Sequence, residues 1–160
     1  MQPICFACSA TIDQSASAIS AQIADVARWR EFKGYGLLPG IANAAYERRT
    51  ETMIGSRVRV RNTDGSGHVE EFFAWEPTKQ VAMKFADFTP PLHYLATHFT
   101  EEWYFEPQTG GTLVTRKFQL FPKHAAARPV LWLISLVFRQ AIARHLADMA
   151  RAASGGHQAQ

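Results

Sequence analysis

The sequence predicts one α+β domain, in which a curved antiparallel sheet of about seven strands wraps around a long C-terminal helix. Three observations support this. Short segments with alternating apolar and polar residues follow one another from residue 45 to 121, two short helical segments follow the first strand, and a helical period runs through residues 125–153. Since one helix cannot cover so wide a sheet, we expect the sheet to curve and to leave a hollow at its open end.

Composition fits one globular domain and argues against a nucleic-acid partner. The chain has 160 residues, of which 47% are hydrophobic and 19% are charged, and its net charge is +3. A nucleic-acid binder usually carries a dense basic cluster, and the nearest group here is Arg57, Arg59 and Arg61 at strand spacing. We interpret these arginines as a solvated strand face.

The two cysteines are expected to be reduced and structural. Cys5 and Cys8 have the spacing of a redox or metal motif, but the segment Ile4–Ile12 alternates like a strand, so the two sulfurs should lie on opposite faces. No second cysteine pair completes a zinc site. We therefore expect a cytoplasmic protein without metal or cofactor.

The sequence has neither the basic region nor the apolar run of a signal peptide. The longest apolar run, residues 130–138, is shorter than the roughly 20 residues of a membrane span. We therefore expect no transmembrane segment.

The first elements are a strand over Ile4–Ile12 and two short helices. Asp13 or Ser15 can cap the first helix, whose apolar side includes Ile19 and Ile23. Trp29 and Phe32 extend the apolar face into a second short helix. Residues 34–41 combine three glycines and a proline with apolar side chains, so this loop either closes over a pocket or packs under a neighbour.

The middle of the chain predicts six consecutive strands. Asp64-Gly65 favours a hairpin turn, and a second hairpin is centred on residues 108–111. The predicted strands cover residues 46–52, 55–62, 68–76, 80–88, 96–106 and 112–121.

The terminal helix changes character along its length. Its first half is apolar on nearly all sides, which predicts burial on more than one side, whereas its second half carries charges such as Arg144 and Asp148. We expect one domain over residues 1–153 and a flexible polar tail over residues 154–160.

A series of motifs lies at residues 6–12, 27–32, 76–77, 103–107 and 110–112, followed by the long helix. In the order of these motifs, the chain resembles the START-like superfamily with the helix-grip fold. That superfamily includes the major birch-pollen allergen, lipid-transfer domains and bacterial polyketide cyclase/dehydrase-like proteins. The resemblance implies the fold, but it leaves the function open, because the superfamily contains carriers, enzymes and regulators.

The last hairpin predicts a charged pair inside the sheet. A four-residue loop puts Trp103 opposite Arg116, with Glu101 on the diagonal, and the apolar neighbours of all three mark this face as the inner one. Since an unpaired buried charge is costly, we expect Glu101 and Arg116 to pair. The pair either neutralises itself structurally or orients a polar group on an apolar ligand.

A cavity between sheet and helix is the candidate site, although ordinary core packing is the alternative for its apolar members. The residues predicted to bind the ligand are Glu101, Arg116, Trp103, Phe85, Met83, Tyr94, Phe99, Phe118, Phe138 and Ile142. Those predicted to form the pocket mouth are Leu37, Leu38, Leu92 and His93.

Three functions remain open. The first is binding, and thereby transport or sensing, of a small hydrophobic molecule such as a lipid. The second is a polyketide cyclase or dehydratase, with Glu101, Arg116, Tyr94 or His93 in acid/base and oxyanion-stabilising roles. The third is a homodimeric interaction protein with a filled interior, which uses the apolar half of the terminal helix as its interface.

Overall fold

A computed structural model describes residues 1–156. Seven strands form one antiparallel sheet in the order β1-β7-β6-β5-β4-β3-β2, which confirms the predicted fold class and strand number. The strands are β1 (Ile4–Ile12), β2 (Ile41–Arg48), β3 (Arg57–Asn62), β4 (Gly67–Glu76), β5 (Gln80–Ala86), β6 (Ala96–Gln108) and β7 (Gly111–Pro122).

Two short helices follow β1, as predicted. The first begins after Ser15, whose hydroxyl accepts a hydrogen bond from the backbone N–H of Ala18 at 3.1 Å and so satisfies a free helix donor. The α-helices are α1 (Ala16–Ala24), α2 (Leu92–Leu95) and α3 (Arg128–Gly155), and 3₁₀ helices span Val26–Glu31 and Ala125–Ala127.

The prediction for β2 was wrong at its start. The strand begins at Ile41 rather than at residue 46, and the N–H of Ile41 donates to the carbonyl of Phe32 at 3.0 Å. Two irregularities in the pairing with β3, between Ile41 and Asn43 and between Tyr46 and Arg48, interrupt its period. Since a bulge breaks the alternation that identifies a strand, the first half of β2 could not be recognised from its pattern.

The predicted tail also begins too early. Ser154 and Gly155 are the last residues of α3, and the Ser154 hydroxyl donates to the carbonyl of Ala150 at 3.0 Å. Residues 157–160 of the predicted flexible tail lie outside the described residues.

Helix α3 lies mainly over β1 and, to a smaller extent, over β7. Its outer face was predicted to be buried in the first half, and that prediction was wrong: Trp132 is 53% exposed. The helix crosses one side of the sheet only, so nothing in the described chain covers its outer face. The exposed apolar residues of that face are Val130, Trp132, Leu133 and Leu136.

By length and composition alone, the stretch Ala125–Gly155 could cross a membrane, which the run of residues 130–138 did not indicate. In this fold it is the core helix of the domain, because its inner side packs on the sheet. The buried side chains on that inner side are Leu131, Ser135, Phe138, Ala141, Ile142, Leu146 and Ala153.

The two cysteines lie on opposite faces of β1, as the strand spacing predicts. The thiol of Cys8 faces α3 and lies 3.5 Å from the carbonyl oxygen of Arg139, whereas Cys5 is exposed. Both cysteines are free, and burial raises the pKa of the Cys8 thiol.

Candidate functional site

A cavity of about 470 Å³ lies between the concave face of the sheet and α3. The sheet contributes the inward side chains of β5, β6 and β7, and the helix contributes residues of its inner side. The predicted residues that line it are Met83, Phe85, Phe99, Glu101, Trp103, Arg116, Phe118, Phe138 and Ile142. Their role in binding a ligand stays a prediction.

The charged pair has the predicted register and geometry. Trp103 faces Arg116 across the β6–β7 ladder, and Arg116 donates from Nε to Oε1 of Glu101 at 2.6 Å. Its Nη2 lies 2.5 Å from the same oxygen. Glu101 is 2% exposed and Arg116 5%, so the attraction between them acts in a medium of low dielectric constant.

His145 on α3 joins this pair, a contact that the sequence did not indicate. Nη1 of Arg116 lies 2.8 Å from Nδ1 of His145. A guanidinium has no acceptor, so it donates and the imidazole nitrogen accepts. Burial and then the charge of Arg116 lower the pKa of His145 to about 3, which keeps the ring neutral and links the ion pair to the helix.

The carboxyl group of Glu101 titrates in an unusual range. Burial raises its pKa to about 7, Arg116 opposes this rise, and the nearby Glu70 adds to it. The carboxyl group can therefore change its protonation state near neutral pH, which is a useful property for either binding or proton transfer.

The indole of Trp103 supplies a donor without a protein partner. Among the described residues, its Nε1–H is the only buried side-chain nitrogen or oxygen group that makes no hydrogen bond. The indole helps to lower the pKa of Glu101, yet its N–H does not reach hydrogen-bond geometry with the carboxylate. The guanidinium carbon of Arg116 lies 4.1 Å from the ring centroid, so the ring also stacks on the cation. A buried donor in this state favours a guest with an acceptor atom.

A second polar pair, which sequence analysis missed, borders the same cavity. Nε2 of His68 lies 2.8 Å from Oε1 of Glu70, and Glu70 is only 4% exposed. The His68 ring stacks on Phe85, with ring centroids 5.2 Å apart. Alternation along β4 gives His68, Glu70 and Phe72 a common face, so this signal was available in the sequence.

Two predicted site residues lie outside the cavity wall, so those predictions were wrong. Tyr94 is 62% exposed, and neither it nor His93 borders the cavity, whereas Leu92 does. All three belong to the single turn α2, where successive side chains point in different directions, so only one of them turns inward. Leu37, which is fully exposed, and Leu38 both border the cavity, and their role at its mouth stays a prediction.

The short 3₁₀ helix and the segments that flank it add wall residues that sequence analysis treated only as a core face. Trp29 and Phe32 both line the cavity, and the ring of Phe32 contacts His145 edge-on at 5.7 Å between centroids. Phe88, just beyond β5, also borders the cavity. Their apolar pattern indicated burial but could not separate a cavity wall from a filled core.

Comparisons with solved structures show the same fold. The Zhui aromatase/cyclase from Streptomyces sp. R1128 is 14% identical, with a TM-score of 0.70, and 93% of this chain and 94% of that chain are covered. A START superfamily protein from Mycobacterium smegmatis is 12% identical, with a TM-score of 0.70 and coverages of 92% and 97%. Likeness at this level of identity shows the fold alone.

The di-domain ARO/CYC BexL from the BE-7585A biosynthetic pathway is 17% identical, with a TM-score of 0.66. The alignment covers 93% of this chain but only 50% of BexL, so this chain spans about half of that protein. A search of curated proteins found no match.

A family-wide sequence profile decides the relationship. The profile of the family described as polyketide cyclase / dehydrase and lipid transport matches residues 3–154. This match confirms the resemblance to the START-like superfamily. Because it covers nearly all of the sequence, the chain belongs to the polyketide cyclase / dehydrase and lipid transport family.

Proposed function

We propose that this protein binds a small, mostly apolar molecule in the cavity and orients one polar group of that molecule at Glu101, Arg116 and Trp103. The observation that carries the proposal is the unpartnered indole N–H of Trp103, buried beside an ion pair in an otherwise apolar wall. Ligand pockets of this kind are mainly apolar and use a few polar groups for orientation.

The surroundings of the ion pair support a binding role. The Trp103 N–H has no acceptor at hydrogen-bond geometry in the protein and borders the cavity, so a partner for it can come from the cavity side. An oxygen atom of the guest would supply that acceptor. The aromatic rings of Phe85, Phe99 and Phe118 would then contact the apolar body of the guest.

The test is displacement of a fluorescent apolar probe by matched ligands, for example a long-chain alcohol and an alkane of the same length. Glu101→Gln should weaken binding of the alcohol and leave binding of the alkane unchanged. Glu102→Gln is the matched control, because Glu102 follows on the same strand but faces the outer side, where its carboxylate accepts a hydrogen bond from Tyr104. Absence of any probe binding by the wild-type protein would end the proposal.

A cyclase or dehydratase is the second candidate function, and one observation favours it. Burial raises the pKa of Glu101 to about 7, the range in which a carboxyl group transfers protons efficiently at neutral pH. If the protein is such an enzyme, Glu101→Gln should abolish turnover of a polyketide-like substrate while binding persists. If the protein is a carrier, no turnover exists to be lost.

A homodimer is the remaining partner prediction. The exposed apolar face of α3, formed by Val130, Trp132, Leu133 and Leu136, supports self-association. Native mass spectrometry over a range of concentrations tests it and would also detect a retained small molecule. Cytoplasmic location stays part of the proposal, supported by the two free cysteines.

A further inference from the structure

Two separate polar pairs border one apolar cavity, and the proposed function uses only one of them. Glu101 and Arg116 lie on β6 and β7, and His68 and Glu70 lie on β4. A cavity that recognised a guest with one polar end would need only the first pair. The second pair therefore requires its own explanation.

The strand register gives the separation between the pairs. Phe72 pairs with Met83, and Met83 pairs with Glu101, so Phe72 and Glu101 stand at the same level two strands apart. Glu70 is two residues before Phe72 on β4. With strands about 4.8 Å apart and a rise of about 3.4 Å per residue, the Cα atoms of Glu70 and Glu101 lie roughly 12 Å apart.

The polar ends of the two pairs are closer than the Cα atoms, because all four side chains point into the concave face. The charge of Glu70 also contributes to the raised pKa of Glu101, which indicates that the two carboxyl groups sense each other across the cavity.

Aromatic rings occupy the wall between the two pairs. The ring of Phe85 lies 6.5 Å from that of Phe99 and 6.2 Å from that of Phe118, measured between centroids, and it meets the Phe118 ring edge-on. Rings in such arrangements favour another aromatic ring in contact with them. The middle of the cavity therefore suits a flat apolar body.

The second pair keeps hydrogen-bonding capacity for a guest. Within the described residues, His68 is the only side chain that bonds to the carboxylate of Glu70, through Oε1 alone. A carboxylate offers about four acceptor sites, so one bond leaves Glu70 able to accept a hydroxyl donor. Burial at 4% exposure makes such an additional bond favourable.

We propose that the cavity takes an elongated aromatic molecule with an oxygen substituent at each end. One oxygen accepts the Trp103 N–H beside Glu101 and Arg116, and a hydroxyl at the other end donates to the His68–Glu70 pair. This inference rests on the proposed binding function and narrows its ligand to a class. Its two-ended recognition is a property that binding of an apolar molecule alone does not require.

The test uses biphenyl, para-hydroxybiphenyl and para,para′-dihydroxybiphenyl as ligands in calorimetric titrations. The monophenol, para-hydroxybiphenyl, should bind more tightly than biphenyl. The diphenol should bind about tenfold more tightly than the monophenol, because it makes one further hydrogen bond to a charged group. Equal affinity of the wild-type protein for monophenol and diphenol would overturn the inference and leave the proposed function intact. If none of the three compounds binds, the inference fails, and the displacement test with the alcohol and the alkane decides the proposed function separately.

The variant His68→Phe/Glu70→Met removes the second pair as a unit, since replacing both partners of a buried pair by apolar groups is often tolerated. It should lose the tenfold preference for the diphenol and keep the affinity for the monophenol within about twofold. Glu71→Met is the control, because Glu71 neighbours the pair but its side chain is 44% exposed.

If the double variant does not fold, Glu70→Gln serves instead, because the amide keeps a contact with His68 but removes the charge. It should reduce the preference for the diphenol by severalfold. A preference that persists in full in either variant would also overturn the inference.

Discussion

The two halves of the sheet share one pattern but differ in what lies above them. The half formed by β1 and β7 lies under α3, and its residues Ile12, Val114 and Leu120 are fully buried without bordering the cavity. Arg116 and Phe118 of β7 lie at the boundary of this half and line the cavity. Strands β4 and β5 have no helix in comparably close contact, and their residues His68, Glu70, Met83 and Phe85 border the cavity. The comparison shows that the same alternation of apolar residues produces a filled core in one part of the sheet and a cavity wall in another.

The largest expected effect is at the boundary between these halves, where Arg116 connects β7 to the helix through His145. Arg116→Ala should lower the free energy of unfolding by about 3–5 kcal/mol, because it leaves the carboxyl group of Glu101 buried without its cation. Urea denaturation measures this effect. Lys117→Ala, next to it on the exposed side, should change stability by less than about 0.5 kcal/mol. If Arg116→Ala alters neither stability nor ligand binding, the contacts of Arg116 with Glu101 and His145 contribute to neither property.

The pKa values of Glu101 and His145 are shifted in opposite directions, and both shifts should affect how the free energy of unfolding depends on pH. The pKa of Glu101 is raised from 4.5 to about 7, so its stabilising contribution is complete below pH 4.5 and is lost as the pH rises to 7. The pKa of His145 is lowered from 6.5 to about 3, so its contribution is complete above pH 6.5 and is lost as the pH falls towards 3. Each group's contribution to the free energy of unfolding changes by about 3 kcal/mol between pH 4.5 and neutrality. The two changes have opposite signs.

Single variants separate these two contributions. Relative to the wild-type protein, Glu101→Gln should lose about 3 kcal/mol as the pH falls from 7 to 4.5, because only the loss from His145 remains. His145→Asn should gain a similar amount over the same fall, since the asparagine oxygen can still accept from Arg116 without taking up a proton. Urea denaturation at several pH values measures both curves. Parallel curves for all three proteins would contradict these pKa shifts.

A third prediction compares one core residue with one wall residue of similar size. Leu131 on the inner side of α3 is fully buried away from the cavity, whereas Met83 on β5 borders it. Leu131→Ala should cost about 3 kcal/mol, since it creates a new closed void, and Met83→Ala only about 1–2 kcal/mol, since it enlarges an existing space. Thermal and urea unfolding measure both. Equal costs would mean that the two halves are packed alike.

The smallest effect on stability is expected at the mouth of the open half. Leu37 is fully exposed and borders the cavity, so Leu37→Ser should change the free energy of unfolding by no more than about 0.5 kcal/mol. It should instead change the rate at which a bound apolar probe leaves, which stopped-flow fluorescence measures. An unchanged release rate would indicate that the guest leaves elsewhere.

Sequence analysis predicted the fold and the contact between Glu101 and Arg116, for identifiable reasons. The hairpin between β6 and β7 has a short loop and clean alternation, so its register and the contact between Glu101 and Arg116 followed from spacing. In contrast, the contact from His145 joins a helix to a sheet across 29 positions of the chain. No periodicity reports how a helix is rotated over a strand, so this contact could not be predicted.

The errors have the same physical origin. Hydrophobic pattern reports which residues avoid water, but it does not report what covers them, and for this reason the exposed side of α3 at Trp132 was predicted to be buried. The direction of side chains in a single helical turn is equally hidden, which explains the wrong predictions for His93 and Tyr94. Buried acids such as Glu70 are visible in the alternation once an inward face is assigned.

The position of Cys8 gives the molecule a reporter of its own movement. Its thiol is half-buried where α3 crosses β1, while the thiol of Cys5, three residues earlier, is exposed. A thiol reagent would therefore modify Cys5 faster than Cys8, and the ratio of the two rates reports how closely α3 stays packed on β1. A guest that holds α3 more firmly on the sheet would slow the modification of Cys8 and leave that of Cys5 unchanged.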